Sequence, residues 1–150
     1  MNRILLLALL LLATACAPSG SFRERVDVGN HGWERQKPVV FSPKYIDSTA
    51  CYDVFLTFRH NNRYEFSNLC VAVDFIDSLH HASRVKLCIP ITDSHGKWTG
   101  SGFGGVYQQK VKLRNNMPAG STSTVTVWHT MQGCDTLRHI DQMGLLFIKR

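Results

Sequence analysis

The chain lacks the short motifs by which most catalysts and nucleic-acid readers declare themselves. There is no CxxC pair, so a thioredoxin-like redox site is not supported. There is no G-x-S-x-G elbow for an activated serine. Gly96-Lys97 is followed by Trp98 rather than Ser or Thr, so it is not a phosphate-binding P-loop. Gly100 to Gly105 contains a GxGxxG pattern, yet the following Val106 to Leu113 looks extended and no helix follows. A dinucleotide site requires that helix, so the glycines are expected to build a turn with positive φ. The Asp93-x-x-Gly96 fragment lacks the further ligands of a calcium loop. Acidic residues are scarce, 11 against 17 Lys and Arg, and no basic cluster or fold motif for reading DNA or RNA is present. His80-His81 are adjacent and would point to opposite faces of a strand, a poor chelate. We therefore expect no enzyme activity, no cofactor, no metal, no nucleic-acid partner and no small-molecule substrate.

Long apolar runs are also missing, with one exception. Ile4 to Leu12 are nine consecutive apolar residues, too few to cross a bilayer as a helix. They follow Met1-Asn2-Arg3 and lead into Ala13-Thr14-Ala15-Cys16. A short charged start, an apolar centre and small residues at the cut form a signal peptide. A cysteine directly after the small residues resembles a bacterial lipoprotein signal, in which a diacylglycerol (palmitate-class chains) is attached to the thiol. The expectation is a signal peptide over residues 1–15 and a lipid on Cys16. Residues 16–32, small, polar and charged, are expected to form the lipidated end and tether, with one domain over 33–150. Two acyl chains give stable anchoring.

With Cys16 assigned to lipid, Cys51, Cys70, Cys88 and Cys134 remain. An exported chain permits disulfides among them. Period-two alternation runs through Tyr52–Phe58, Leu69–Ile76, Arg84–Ile91 and Thr124–Met131, and the apolar Gly144 to Ile148 is expected to be a last strand. Turn residues separate these runs, at 60–63, 93–96, 115–120 and 132–135. Only Cys134 to Gln142 could hold a short helix. The expected fold is all-β, a single antiparallel β-sandwich of jelly-roll or immunoglobulin-like winding. Large apolar groups on both faces around Phe55 suggest a central strand. If 69–76 and 84–91 form a hairpin, Val71 would sit opposite Leu87 and Val73 opposite Val85. Cys70 would then face Cys88. That pair is either bridged or two free thiols packed as small apolar groups.

Two further stretches are unusual. Arg59-His60-Asn61-Asn62-Arg63-Tyr64-Glu65-Phe66-Ser67-Asn68-Leu69 is similar to an R-N-N-x-Y-x-[YF]-S-N-L pattern, and Asp93-Ser94-His95-Gly96-Lys97-Trp98-Thr99-Gly100-Ser101-Gly102 to D-x-[DH]-G-K-W-x-G-x-G. Asp141 to Leu145 resembles a D-x-G-L ending with one residue added. With the signal, these features resemble the GldH-type gliding-motility lipoproteins. Here His60 stands where Asn is usual, and the four cysteines are outside the pattern. The resemblance implies an envelope lipoprotein of Bacteroidota, lipid-anchored in the outer membrane. It would be a non-catalytic accessory or assembly component of the gliding and secretion apparatus, with other envelope proteins of that apparatus as partners. No acidic cluster follows Cys16, which favours the periplasmic face. Arg59, Asn61, Asn62, Tyr64, Ser67, Asn68, Lys97 and Trp98 either build loops, with Trp98 capping one end of the sandwich, or form a partner-binding edge. The competing reading is a carbohydrate-binding module, with Trp33, Trp98 and Trp128 as a stacking platform.

Overall fold

A computed structural model describes residues 21–150. The signal peptide and Cys16 lie outside the described residues. All regular structure in the described residues is extended. The strands are β1 (Phe22–Asp27), β2 (Trp33–Glu34), β3 (Val39–Phe41), β4 (Cys51–Asn61), β5 (Asn68–Ile76) and β6 (Ala82–Pro90). They continue as β7 (Ser101–Phe103), β8 (Val106–Pro118), β9 (Thr124–His129), β10 (Thr136–Leu137) and β11 (Ile140–Lys149). The stretch Cys134 to Gln142 contains no helix; it is a turn, then β10, then the start of β11.

A five-stranded sheet, ordered β1-β11-β4-β8-β7, packs on a four-stranded sheet, ordered β3-β9-β5-β6. Ladder pairs nest: β5 with β6, β4 with β8, β3 with β9, and β1 with β11, all antiparallel. This nesting of one long hairpin folded over itself is the jelly-roll winding rather than the immunoglobulin one. β4 is the middle strand of its sheet, in keeping with its two apolar faces.

The alternation in the sequence sorts side chains between core and surface. Tyr52, Val54, Leu56 and Phe58 of β4 are buried, as are Leu69, Val71 and Val73 of β5, Val125 and Val127 of β9, and Met143, Leu145 and Phe147 of β11. Burial of these groups is the main stabilising term of the fold. At one end Phe22, Tyr45 and Tyr52 pack edge-on or tilted around Phe147. The predicted register of the β5–β6 hairpin is the observed one, and Cys70 and Cys88 are joined by a disulfide. Cys51 and Cys134 are free and half-buried.

The first strand lies inside the stretch read as tether. In Phe22–Asp27 the residues Phe22, Glu24 and Val26 are half-buried, while Arg23, Arg25 and Asp27 are exposed. The domain therefore starts at β1, not near Trp33. The four charges in six residues masked a strand whose outer face is solvated.

Candidate functional site

The two unusual stretches meet at the end of the sandwich opposite the start of β1. β4 runs on through His60 and Asn61, so His60 is not in the turn. Its alternation carries the imidazole inward, where it is fully buried. It stacks on Tyr107 (centroids 5.5 Å apart), with Trp98 at 5.0 Å and Tyr64 at 5.7 Å. Nδ1 lies 3.2 Å from the Asn61 carbonyl, which assigns it the proton; Nε2 is buried without a partner. Burial pushes the His60 pKa down. The imidazole is thus a neutral member of an aromatic cluster. The period-two signal in β4, extended by one step, would have found it.

The other motif residues mostly hold this end together. The Asn61 side chain accepts from the Arg63 N–H (2.9 Å), and its amide reaches Asp141 (3.3 Å). The Asn62 N–H donates to the Gly105 carbonyl, tying the turn after β4 to the β7–β8 turn. Tyr64 is buried and its hydroxyl donates to the Asn68 carbonyl (2.9 Å); burial also raises its pKa. The Ser67 carbonyl accepts from the Ile91 N–H. Asp93 accepts from the His95 and Lys97 N–H groups, and the Lys97 side chain is exposed. Trp98 bridges to Thr92 and lids the cluster. Gly100, Gly104 and Gly105 all have positive φ, so the GxGxxG stretch is a hairpin.

The half-buried polar motif residues do not converge on one patch. Asn61 lines a polar cleft of about 600 Å³ with His31, His139 and Asp141. Asn68 lines a cleft of about 570 Å³ beside the disulfide, with Phe66, Leu87 and Met131. Arg59 lies on the outer face of the five-stranded sheet, beside Phe103 and Gln108. The loop-building reading thus accounts for Asn62, Tyr64, Ser67 and Trp98. The tryptophans make no platform either. Trp33 is 2% exposed, donates to the Lys37 carbonyl and packs edge-on against His129, while Trp98 and Trp128 lie on different elements. His129 is the second buried imidazole. Among the described residues neither ring nitrogen makes a hydrogen bond of ordinary geometry, and burial followed by the nearby Arg35 lowers its pKa, outweighing the backbone groups of Trp33 and Asp135 that raise it. Arg35 itself donates to the Met131 and Cys134 carbonyls. Among the described residues no group of three His, Cys, Asp or Glu side chains is arranged to hold a metal ion.

Fold and site together define a small jelly-roll domain whose unusual motifs close one end of the sandwich. The sequence model of the GldH lipoprotein family matches residues 21–146, and the chain belongs to that family. It is 28% identical over 147 residues to the gliding motility lipoprotein GldH of Flavobacterium johnsoniae, covering 94% of this chain and 91% of the relative. It is 33% identical over 87 residues to a gliding motility lipoprotein GldH homolog of Christiangramia forsetii. That match covers 58% of this chain and 54% of the relative, so it spans about half of the latter's length. Among solved structures, a tobacco streak virus coat protein aligns over 91% of this chain and 90% of its own at 11% identity, with a TM-score of 0.35.

Proposed function

We propose that this chain is a lipid-anchored outer-membrane protein facing the periplasm, and a non-catalytic accessory or assembly component of a gliding and secretion apparatus. The observation that carries the reading is likeness to the Flavobacterium johnsoniae gliding motility lipoprotein along nearly the whole chain. Two features support it. Cys16 stands directly after an apolar signal-like run, where a lipid would be attached. The buried His60 and Tyr64 and the half-buried Trp98 are engaged in packing, which suits a scaffold better than a catalyst. Partners would be other envelope proteins.

Crosslinking in intact cells followed by affinity capture is the test. The expected result is recovery of envelope proteins of the motility apparatus with the wild-type chain, and their loss with Cys16→Ser, which removes the anchor. Capture of no envelope protein, or gliding and secretion unaltered on deletion, would overturn the role. Protease shaving of intact cells reads the orientation; a periplasmic domain resists it.

A further inference from the structure

We infer that the outer face of the five-stranded sheet is a membrane-facing surface that rests on anionic lipid head groups. The inference rests on the proposed anchor at Cys16 and says which side of the domain the anchor presents to the bilayer.

The face is built from cross-strand rows that the ladder registers define. One row runs Arg23, Leu146, Phe55, Lys112, and the next runs Arg25, Gly144, Thr57, Lys110. A third runs Asp27, Gln142, Arg59, Gln108. In the first two rows cations stand at both ends, on β1 and β8, and the middle on β11 and β4 is apolar or small. Lys110 and Lys112 lie over the Phe55 ring, with Nζ 4.2 and 5.3 Å from its centroid. Their stems cover the apolar strip while their charges remain at the surface. The centre is kept low by Gly144, where a Cβ would run into the Thr57 hydroxyl. Past Arg59, at the β7 edge, Phe103 is 96% exposed. Five strands spaced ~4.8 Å apart span ~19 Å, so the basic rows and the exposed ring fall within one footprint.

Charge pairing separates this face from its counterpart. Arg23, Arg25, Arg59 and Lys110 make no ion pair among the described residues, and Lys112 shares Asp53 with Arg150. On the outer face of the four-stranded sheet, Arg84 is held by both oxygens of Asp74, at 2.6 and 2.7 Å. Lys86 is the cation left there without a carboxylate among the described residues. Among the described residues one face thus carries four unpaired cations against one unpaired carboxylate, Asp27, with an aromatic at its rim, and the other carries the single unpaired cation Lys86.

The position of the anchor selects the occupant. Six residues separate Cys16 from Arg23. The seven Cα steps, at ~3.5 Å each, reach at most ~25 Å. The strand at the edge of the basic face is therefore the first element to leave the lipid. Attraction to an anionic surface decays over ~8 Å at physiological ionic strength. A tether this short holds the face within a few such lengths, and the exposed Phe103 suits the head-group boundary.

Lysine footprinting tests this. The lipidated protein is reconstituted in vesicles of phosphatidylethanolamine alone or with phosphatidylglycerol. It is pulsed with an acetylating ester and read by peptide mass spectrometry. We expect Lys110 to label several-fold more slowly on the anionic vesicles, with Lys86 unchanged, and the protection to vanish at high salt. Arg23→Gln with Arg25→Gln, both at exposed positions, is expected to weaken the protection while leaving the circular dichroism spectrum unchanged. Equal labelling of Lys110 and Lys86, protection of Lys86 instead, or protection that ignores lipid charge would overturn the proposal. So would protection of Lys110 in native envelopes but not on anionic vesicles, which would assign the face to a protein. The mass of the amino-terminal peptide reports the lipid on Cys16 independently. A chain found without lipid is footprinted with the same vesicles in excess, where loss of Lys110 protection still overturns the proposal.

Discussion

His60 and His129 are buried as neutral imidazoles, and the consequence is a pH-dependent stability with a definite sign. Their pKa values are depressed in the folded state. As pH falls through the ordinary histidine value of ~6.5, the unfolded chain takes up protons that the folded chain does not. The stabilising contribution is therefore full above ~6.5 and is lost as pH drops toward the folded values. Urea titrations at pH 7 and pH 5 are expected to show a lower midpoint at pH 5. His60→Gln is expected to flatten that dependence although it weakens the aromatic cluster at both pH values. The disulfide makes a second prediction. Cys70 and Cys88 close a loop with a sequence separation of 18, for which loop-closure entropy gives about 3 kcal/mol. Cys70→Ala with Cys88→Ala should lower stability by about that amount. A thiol count on the unfolded, unreduced domain should find Cys51 and Cys134 alone.

Strands that alternate apolar and polar residues were legible from the residues themselves, and the strand with a charge at an inward position was not. β4, β5, β6 and β9 place large apolar groups at every second position, which fixes both the element and its buried face, and β11 was legible as a short apolar run. β1 escaped because Glu24 takes an inward position. Its carboxylate is satisfied at the sheet edge by the Ser42 N–H, so a charge sits where the pattern calls for an apolar residue. The end of β8 escaped for another reason. Asn115 to Pro118 has turn chemistry, but the register shifts opposite Val54 absorb it, and Asn116 adopts positive φ while donating its N–H to Asp53. At the motif end, the sequence pointed to the residues but not to their separation among three clefts, which depends on strand order. The β7–β8 hairpin offers a test at this level. A Cβ at Gly102 would collide with the Val106 carbonyl, a backbone atom that cannot rotate away. Gly102→Ala is expected to cost ~1–3 kcal/mol and to open the hairpin locally. Limited proteolysis should then cut within residues 100–106 before the rest of the domain is attacked.

The nested winding ties the stability of the whole molecule to its last strand. β11 lies between β1 and β4, so removing residues 140–150 would leave β1 without a partner and expose the core. Such a truncation is expected to leave an unfolded, protease-sensitive chain by circular dichroism. Asp53 joins the same region, accepting from the Asn116 N–H, Arg150 and Lys112. The Asn116 N–H and then Arg150 hold its pKa down at about 2. Its contribution is present above the usual carboxylate pKa of ~3.9 and is lost as pH falls through about 2. Acid unfolding should therefore show a second decline at lower pH than the histidine one, and Asp53→Asn should diminish it. The pairing of Phe22 with Phe147 also has a consequence in time. A chain delivered amino terminus first releases β1 long before its partner exists. At ~5–20 residues per second, more than ~100 residues must follow, a wait on the order of ten seconds. During that interval the first strand is unpaired and lies close in sequence to Cys16, so a lipid added at the proposed site within those seconds would be added to an open chain.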